Sequence, residues 1–231
     1  MTFDELWTKF WEWTNGHPAG RYFFRGQADN SPIKPKIGRP EYAYKPGEER
    51  ALFKAFERGA YPFVNGRLSN YELLALAQHH GCPTRLVDWS TSPLVAAWFA
   101  VSSYPLDKEA QIYALDLAVM DTIDTSQGKM SSGGTVTDPL ELTDGVYLIE
   151  TAQVSSRIKT QRGIFTLHGN PTVAFPIPDA DTFKIPVDLR DAFQSRLMDN
   201  GIDASHIFPD IDGLCKSLDW RLKSGKLTTI A

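Results

Sequence analysis

The strongest constraint on this chain is punctuation inside one segment. Residues 78–92 read QHHGCPTRLVDWSTS, and Pro93 follows. Gly81, Pro83 and Pro93 fall between two stretches with helical character, 69–80 and 93–103. A glycine commonly ends a helix, and a proline suits the first position of the next. Ser69 or Asn70 can cap the first of these helices, with Glu72 in its opening turn, and Thr91 or Ser92 can cap the second. The spacing therefore predicts two helices joined by a polar-dense link.

Upstream, Phe3, Leu6, Trp7, Phe10, Trp11 and Trp13 recur at helical spacing over 3–14, and Asn15-Gly16-His17-Pro18 ends that helix. Residues 22–26 read as a short buried strand ending in a turn. Residues 28–47, rich in Pro, Gly and charge, read as a long loop. A helix follows over 47–60, with Leu52, Phe53 and Phe56 facing inward. Downstream, strands are predicted at 111–117, 146–150 and 164–168. The Thr/Ser/Gly/Asp-rich stretch 121–144 reads as a mobile loop, and helices are predicted at 187–200 and 210–219. The mixture is α+β, with helices mostly in the first half and strands mostly in the second. A length of 231 residues suits one domain with an N-terminal helix (1–20) and a C-terminal helical extension (185–231).

Charge narrows the function classes. A net charge of −4 argues against broad electrostatic binding of nucleic acid, which needs a basic face. Arg21, Arg25, Lys34, Lys36 and Arg39 still lie close together in sequence. Cys82 and Cys215 form no CxxC, so a zinc site on paired thiolates is not expected, and a reducing, cytoplasmic setting is the simpler expectation. The N-terminus lacks a secretory pattern, and no stretch of 18 apolar residues suggests a membrane span.

Within 78–92, a Ser90-Thr91-Ser92 run before a helix suits an anion or a sugar hydroxyl, because helix N-termini carry unpaired N–H groups. The plain alternative is an N-cap. His79 and His80 are adjacent, so they point about 100° apart on a helix and do not both face one site. A metal site on His79, His80 and Asp88 is accordingly weak. Arg85 and Asp88 can pair with each other. Arg25, ending an apolar run before Gly26, can hold an anion through its rigid fork of donors. Gln161 precedes a strand and can fix an amide or hydroxyl without acting as a base.

The motifs FFRGQ (23–27) and QHHGCPTRLVDWSTSPLVAAWFA (78–100) resemble the FRG domain family, as do QRGIFTLHG (161–169) and GIDASHIFPDIDGL (201–214). A more distant resemblance is to ADP-ribosyltransferases of the arginine–serine–glutamate class. It implies a split, mainly antiparallel sheet of the ADP-ribosyltransferase type, NAD as substrate and an unknown macromolecular acceptor, protein or nucleic acid. A toxin or phage-defence role with a neutralising partner would fit. Under that resemblance Arg25, with Gly26 and Arg85, would anchor NAD, and Ser90, Thr91 and Ser92 would brace the nicotinamide ribose. Gln161 stands where the class has its glutamate, Glu150 is the nearest upstream acid, and His80 would serve as a base or ribose contact. These residues are expected to converge on one cleft. The alternative is a module that binds a nucleotide or nucleic acid in the same cleft and transfers nothing.

Overall fold

The computed structural model describes residues 1–64, 66–103, 105–150 and 163–227. Its helices are α1 (Phe3–Gly16), α2 (Pro46–Ala60), α3 (Asn70–His79), α4 (Pro93–Ser102), α5 (Arg190–Asp199), α6 (Ala204–Ile207) and α7 (Ile211–Lys223). Local chemistry sets their starts. Thr2 with Glu5, and Ser69 with Glu72, form reciprocal capping boxes on α1 and α3. Pro93 opens α4, whose Val95 N–H donates to Ser92 Oγ at 3.4 Å.

Among the described residues the strands are β1 (Tyr22–Gln27), β2 (Leu86–Ser90), β3 (Ala110–Asp116), β4 (Asp121–Asp124), β5 (Lys129–Met130), β6 (Val146–Ile149), β7 (Gly163–His168) and β8 (Thr182–Ile185). They lie in one sheet in the order β5-β4-β6-β7-β2-β1-β3-β8. All neighbours are antiparallel except β4 and β6. The fold is thus α+β with a mostly antiparallel sheet. Two expectations are corrected. The link 78–92 contains a central strand, and the stretch 121–144 contributes β4 and β5.

The sheet has a weak junction at its middle. β1 runs alongside β3 from Tyr22↔Asp116 to Gln27↔Gln111, and β2 alongside β7 from Leu86↔Leu167 to Ser90↔Gly163. Between β1 and β2 the only register pair is Phe24↔Ser90. Two cores on the helical face flank this junction. One joins Phe24, Ile112 and Ile185 to Leu6, Phe10 and Phe193, and the other joins Leu86, Phe165 and Leu167 to Tyr71 and Leu74. The opposite face buries Phe23, Val87, Trp89 and Tyr113 against Ile33 and the partly buried Phe175. The alternation follows from the pleat, which sends successive side chains to opposite faces. Gly26 is required where α4 crosses β1, because a Cβ there would collide with the Ala96 carbonyl and the Ala100 N–H.

Arg190 secures the far end of α4. Its guanidinium donates to the carbonyls of Ala100, Val101 and Ser103 as well as Ala28, Pro105 and Lys108. The first three are carbonyls that the end of α4 leaves without intrahelical partners.

Candidate functional site

A cavity of about 320 Å³ opens on the helical face at the β1–β2 junction. Its floor is Phe24, Arg25 and Gly26 of β1 and Asp88, Trp89 and Ser90 of β2. Gln78 and His79 at the end of α3 form one wall, and Val95, Ala96 and Phe99 of α4 form the other. Period-two alternation explains why Asp88 and Ser90 share it. They lie on the same face of β2 as Leu86, while Val87 and Trp89 enter the opposite core.

Arg25 leaves β1 on the opposite face, with Tyr113 as its register partner, and reaches across the junction. Its Nη1 donates to the Asp88 carbonyl at 3.0 Å and its Nε to Gln27 Oε1 at 3.4 Å. Among the described residues it has no carboxylate within ion-pair distance. Burial holds its pKa below the ordinary arginine value; Asp88 opposes that shift and the charge of Arg39 adds to it.

The Asp88 carboxylate is held from one side. Gln78 Nε2 donates to Oδ2 at 2.6 Å, and Gln78 Oε1 accepts from Thr84 Oγ1 at 2.6 Å, so Thr84 fixes the amide orientation that Asp88 needs. Solvent reaches Asp88 through the cavity mouth, but protein surrounds it elsewhere. That crowding raises its pKa above the ordinary aspartate value, against the opposing pull of Arg25 and the Gln78 hydrogen bond.

The expected convergence is only partial. Arg25, Gly26 and Ser90 line the cavity, and Ser90 Oγ accepts from the Ser92 N–H at 3.1 Å. Ser92 caps α4, and Thr91 is not among the lining residues. Its Oγ1 is buried with no hydrogen-bond partner among the described residues. His80 caps the end of α3 and lines a separate apolar hollow with Phe56, Phe63 and Leu76, so of the histidine pair it is His79 that reaches the cavity. Glu150 is exposed beyond the end of β6, where its carbonyl accepts from Thr125 Oγ1 at 2.9 Å, and it does not line the cavity. Gln161 lies outside the described residues. The chain enters β7 at Gly163, directly opposite Ser90.

Arg85 is a correction of a different kind. It does not pair with Asp88 and does not reach the cavity. Its Nε and Nη2 grip both oxygens of Glu49 at 2.8 and 2.6 Å, and its remaining donors go to Tyr44 Oη, Pro139 O and Leu142 O. Both partners are almost fully buried. Every donor is used, so the side chain ties α2 and the 139–142 turn to the start of β2 and offers nothing to a ligand.

The sequence reading gives Gln78 no role of its own and names Asp88 only as a partner for Arg85 or a weak metal ligand, because 86–90 is not recognised there as a strand. The signal was present: LVDWS alternates, which puts an acid and a hydroxyl two residues apart on one face. Among the described residues no group of three or more His, Cys, Asp or Glu is placed to hold a metal, and no helix is long and apolar enough to cross a membrane.

Residues 20–109 match the family model of the FRG domain. No curated protein and no solved structure matches the chain. All the cavity-lining residues except Phe165 and Phe208 fall within the matched segment.

Proposed function

Taking residues 20–109 as an FRG domain, we propose that the cavity at the β1–β2 junction binds NAD and cleaves its nicotinamide–ribose bond, transferring ADP-ribose to an acceptor. The observation that carries this reading is the meeting of Arg25, Asp88 and Ser90 in one cavity. A cation suits the phosphates, a hydroxyl suits the ribose, and a carboxylate suits the positive charge that develops on the ribose as nicotinamide leaves. Asp88 takes the part that the sequence left without a residue in the cavity. The cavity volume is at the small end for ligand sites, so it suits the nicotinamide riboside half while the remainder lies toward the mouth.

In this reading the glycosidic C–N bond breaks with its electron pair going to nicotinamide. The ionised Asp88 faces the oxocarbenium-like carbon, and Gln78 holds Asp88 in place. A nucleophilic oxygen or nitrogen of the acceptor then bonds to that carbon and loses its proton. Water in place of the acceptor gives free ADP-ribose. The raised pKa of Asp88 sets the pH sign: the rate climbs as pH rises above 3.8 through the Asp88 pKa and then levels.

The test is nicotinamide release from NAD with protein, RNA and DNA offered as acceptors. Release should fall on the order of 10²- to 10³-fold in Asp88→Asn, the scale of removing one transition-state electrostatic contact. NAD binding, followed by thermal shift, should persist in that variant and weaken about 10- to 100-fold in Arg25→Ala. No release with any acceptor while NAD still binds favours the second reading, a nucleotide-binding module that transfers nothing. Absence of both release and binding removes both readings.

A further inference from the structure

On the α4 side the junction cavity meets a second one, of about 440 Å³. Phe99, Ser103 and Phe208 line both, so the two hollows share a boundary. The second forms where α4, α5 and the α6–α7 pair come together.

Its walls are aromatic. The Trp98 and Phe208 rings meet edge to face, with centroids 5.8 Å apart and planes at 74°, and Phe99 meets Phe208 at 6.3 Å and 85°. Trp220 of α7 also lines the hollow. Aromatic walls of this kind take planar heterocycles by stacking, whatever the hydrogen-bonding pattern at the ligand's edge.

Polar groups among these rings are unused. Trp98 is 8% exposed, yet its indole N–H has no acceptor among the described residues. A buried indole N–H ordinarily finds one. The side chains of Gln194 and Ser103, which also line the hollow, make no hydrogen bond among the described residues. The lining charges leave a cation over. Asp203 has Arg221 at 2.8 Å, and Asp219 has Lys223 at 2.7 Å. Lys216 has no carboxylate in ion-pair range among the described residues, and its ammonium stands 5.1 Å from the Phe208 ring centroid. Rings for a base, donors for its edge or its ribose, and a cation for a phosphate together describe a nucleotide.

We infer that this second hollow holds the adenosine half of NAD, with the base among Trp98, Phe208 and Trp220 and a phosphate on Lys216. The inference rests on the reading of the junction cavity as the site of nicotinamide release. At about 320 Å³ that cavity takes the nicotinamide riboside half, and the shared boundary gives the rest of the dinucleotide a continuous path.

Calorimetric titration of the full chain with NAD, nicotinamide riboside and AMP tests this. NAD should bind about 10- to 100-fold more tightly than the riboside, the scale of one stacked base. AMP should bind and compete with NAD. Lys216→Glu should weaken NAD and AMP about 10-fold. Trp220→Ala should weaken both by a similar factor, and Trp220→Phe should restore them, with circular dichroism melts confirming that each variant folds. Nicotinamide riboside carries the same scissile bond and does not reach either residue, so the losses should be confined to NAD and AMP. If nicotinamide release is absent while these affinities behave as described, the transfer reaction falls and the assignment of the hollow stands. NAD that binds no more tightly than the riboside, or that keeps its affinity in both Lys216→Glu and Trp220→Ala, overturns the inference and leaves the chemistry at Asp88 in place. AMP that binds alongside NAD instead of competing makes the hollow an acceptor site and also overturns it. A chain that binds none of the three removes both readings.

Discussion

Two arginines flank the central strand β2, and they do opposite things. Arg85, at its start, has Glu49 on two of its donors and neutral oxygens on the rest, all in a buried setting. Arg25 bonds across the other end of the strand pair to one carbonyl and one amide oxygen, with no carboxylate in ion-pair range among the described residues. The carboxylates differ in the same way. Glu49 is locked between Arg85 and Tyr44, whereas Asp88 is held by Gln78 on one oxygen and faces a cavity. A fully satisfied buried charge is architecture. A half-satisfied charge at the floor of a cavity is available for chemistry, and its displaced pKa records the incomplete solvation.

The contrast breaks most visibly at Arg85. Arg85→Ala leaves Glu49 buried and unpaired, which should cost roughly 3–5 kcal/mol and lower Tm by about ten degrees or more. Arg85→Met combined with Glu49→Leu removes both charges and should recover much of that loss, as read by urea denaturation. If the single variant melted like the wild-type chain, Arg85 would not be the tie that the structure describes.

At the other pole, Asp88→Asn should act on chemistry and spare the fold. Removing the charge relieves a carboxylate that burial disfavours. Its raised folded pKa means that the native state holds the proton longer than the unfolded chain. Stability contributed by this group is therefore present below 3.8 and is lost as pH rises through the folded pKa. Above that window Asp88→Asn should be at least as stable as the wild-type chain while nicotinamide release falls. Loss of stability together with loss of activity would make Asp88 a structural residue like Arg85.

Much of the frame was legible in the sequence. Capping boxes, Pro93 and the aromatic periodicity of 3–14 are local signals, and they locate α1, α3 and α4. The strands β2 and β8 were not read, because a stretch as short as LVDWS or TFKI becomes a strand through its neighbours in the sheet. The site was half legible for the same reason. Arg25 and Ser90 stand out by residue type and position. Asp88 does not, since its nearest cation in sequence, Arg85, suggested a pair that the structure gives to Glu49, 36 residues upstream. Long-range partner choice of this kind is decided by which elements pack, and no local spacing encodes it.

The smallest expected effect sharpens the comparison on the far side of the sheet. His168 is buried beneath the junction, and burial together with the charge of Arg25 lowers its pKa to about 4. Trp89 Nε1 donates to Thr166 Oγ1 at 3.0 Å, and the same hydroxyl lies 3.0 Å from His168 Nε2. A lowered histidine pKa makes the unfolded chain bind the proton first, so stability falls as pH drops from 6.5 to about 4. The slope is at most about 1.4 kcal/mol per pH unit. Asp116, lowered to about 2 mainly by its hydrogen bond with Arg21, titrates below this window, whereas Asp88, raised above 3.8, adds a slope of the opposite sign that Asp88→Asn removes. Denaturation of His168→Gln at a series of pH values should show a lower but flatter stability profile between those limits. In Arg25→Ala the window should narrow from below, because losing the nearby cation raises the His168 pKa. An unchanged slope in both variants would mean that the charge of Arg25 is not felt beneath the sheet, and the contrast between the two arginines would then rest on hydrogen bonding alone.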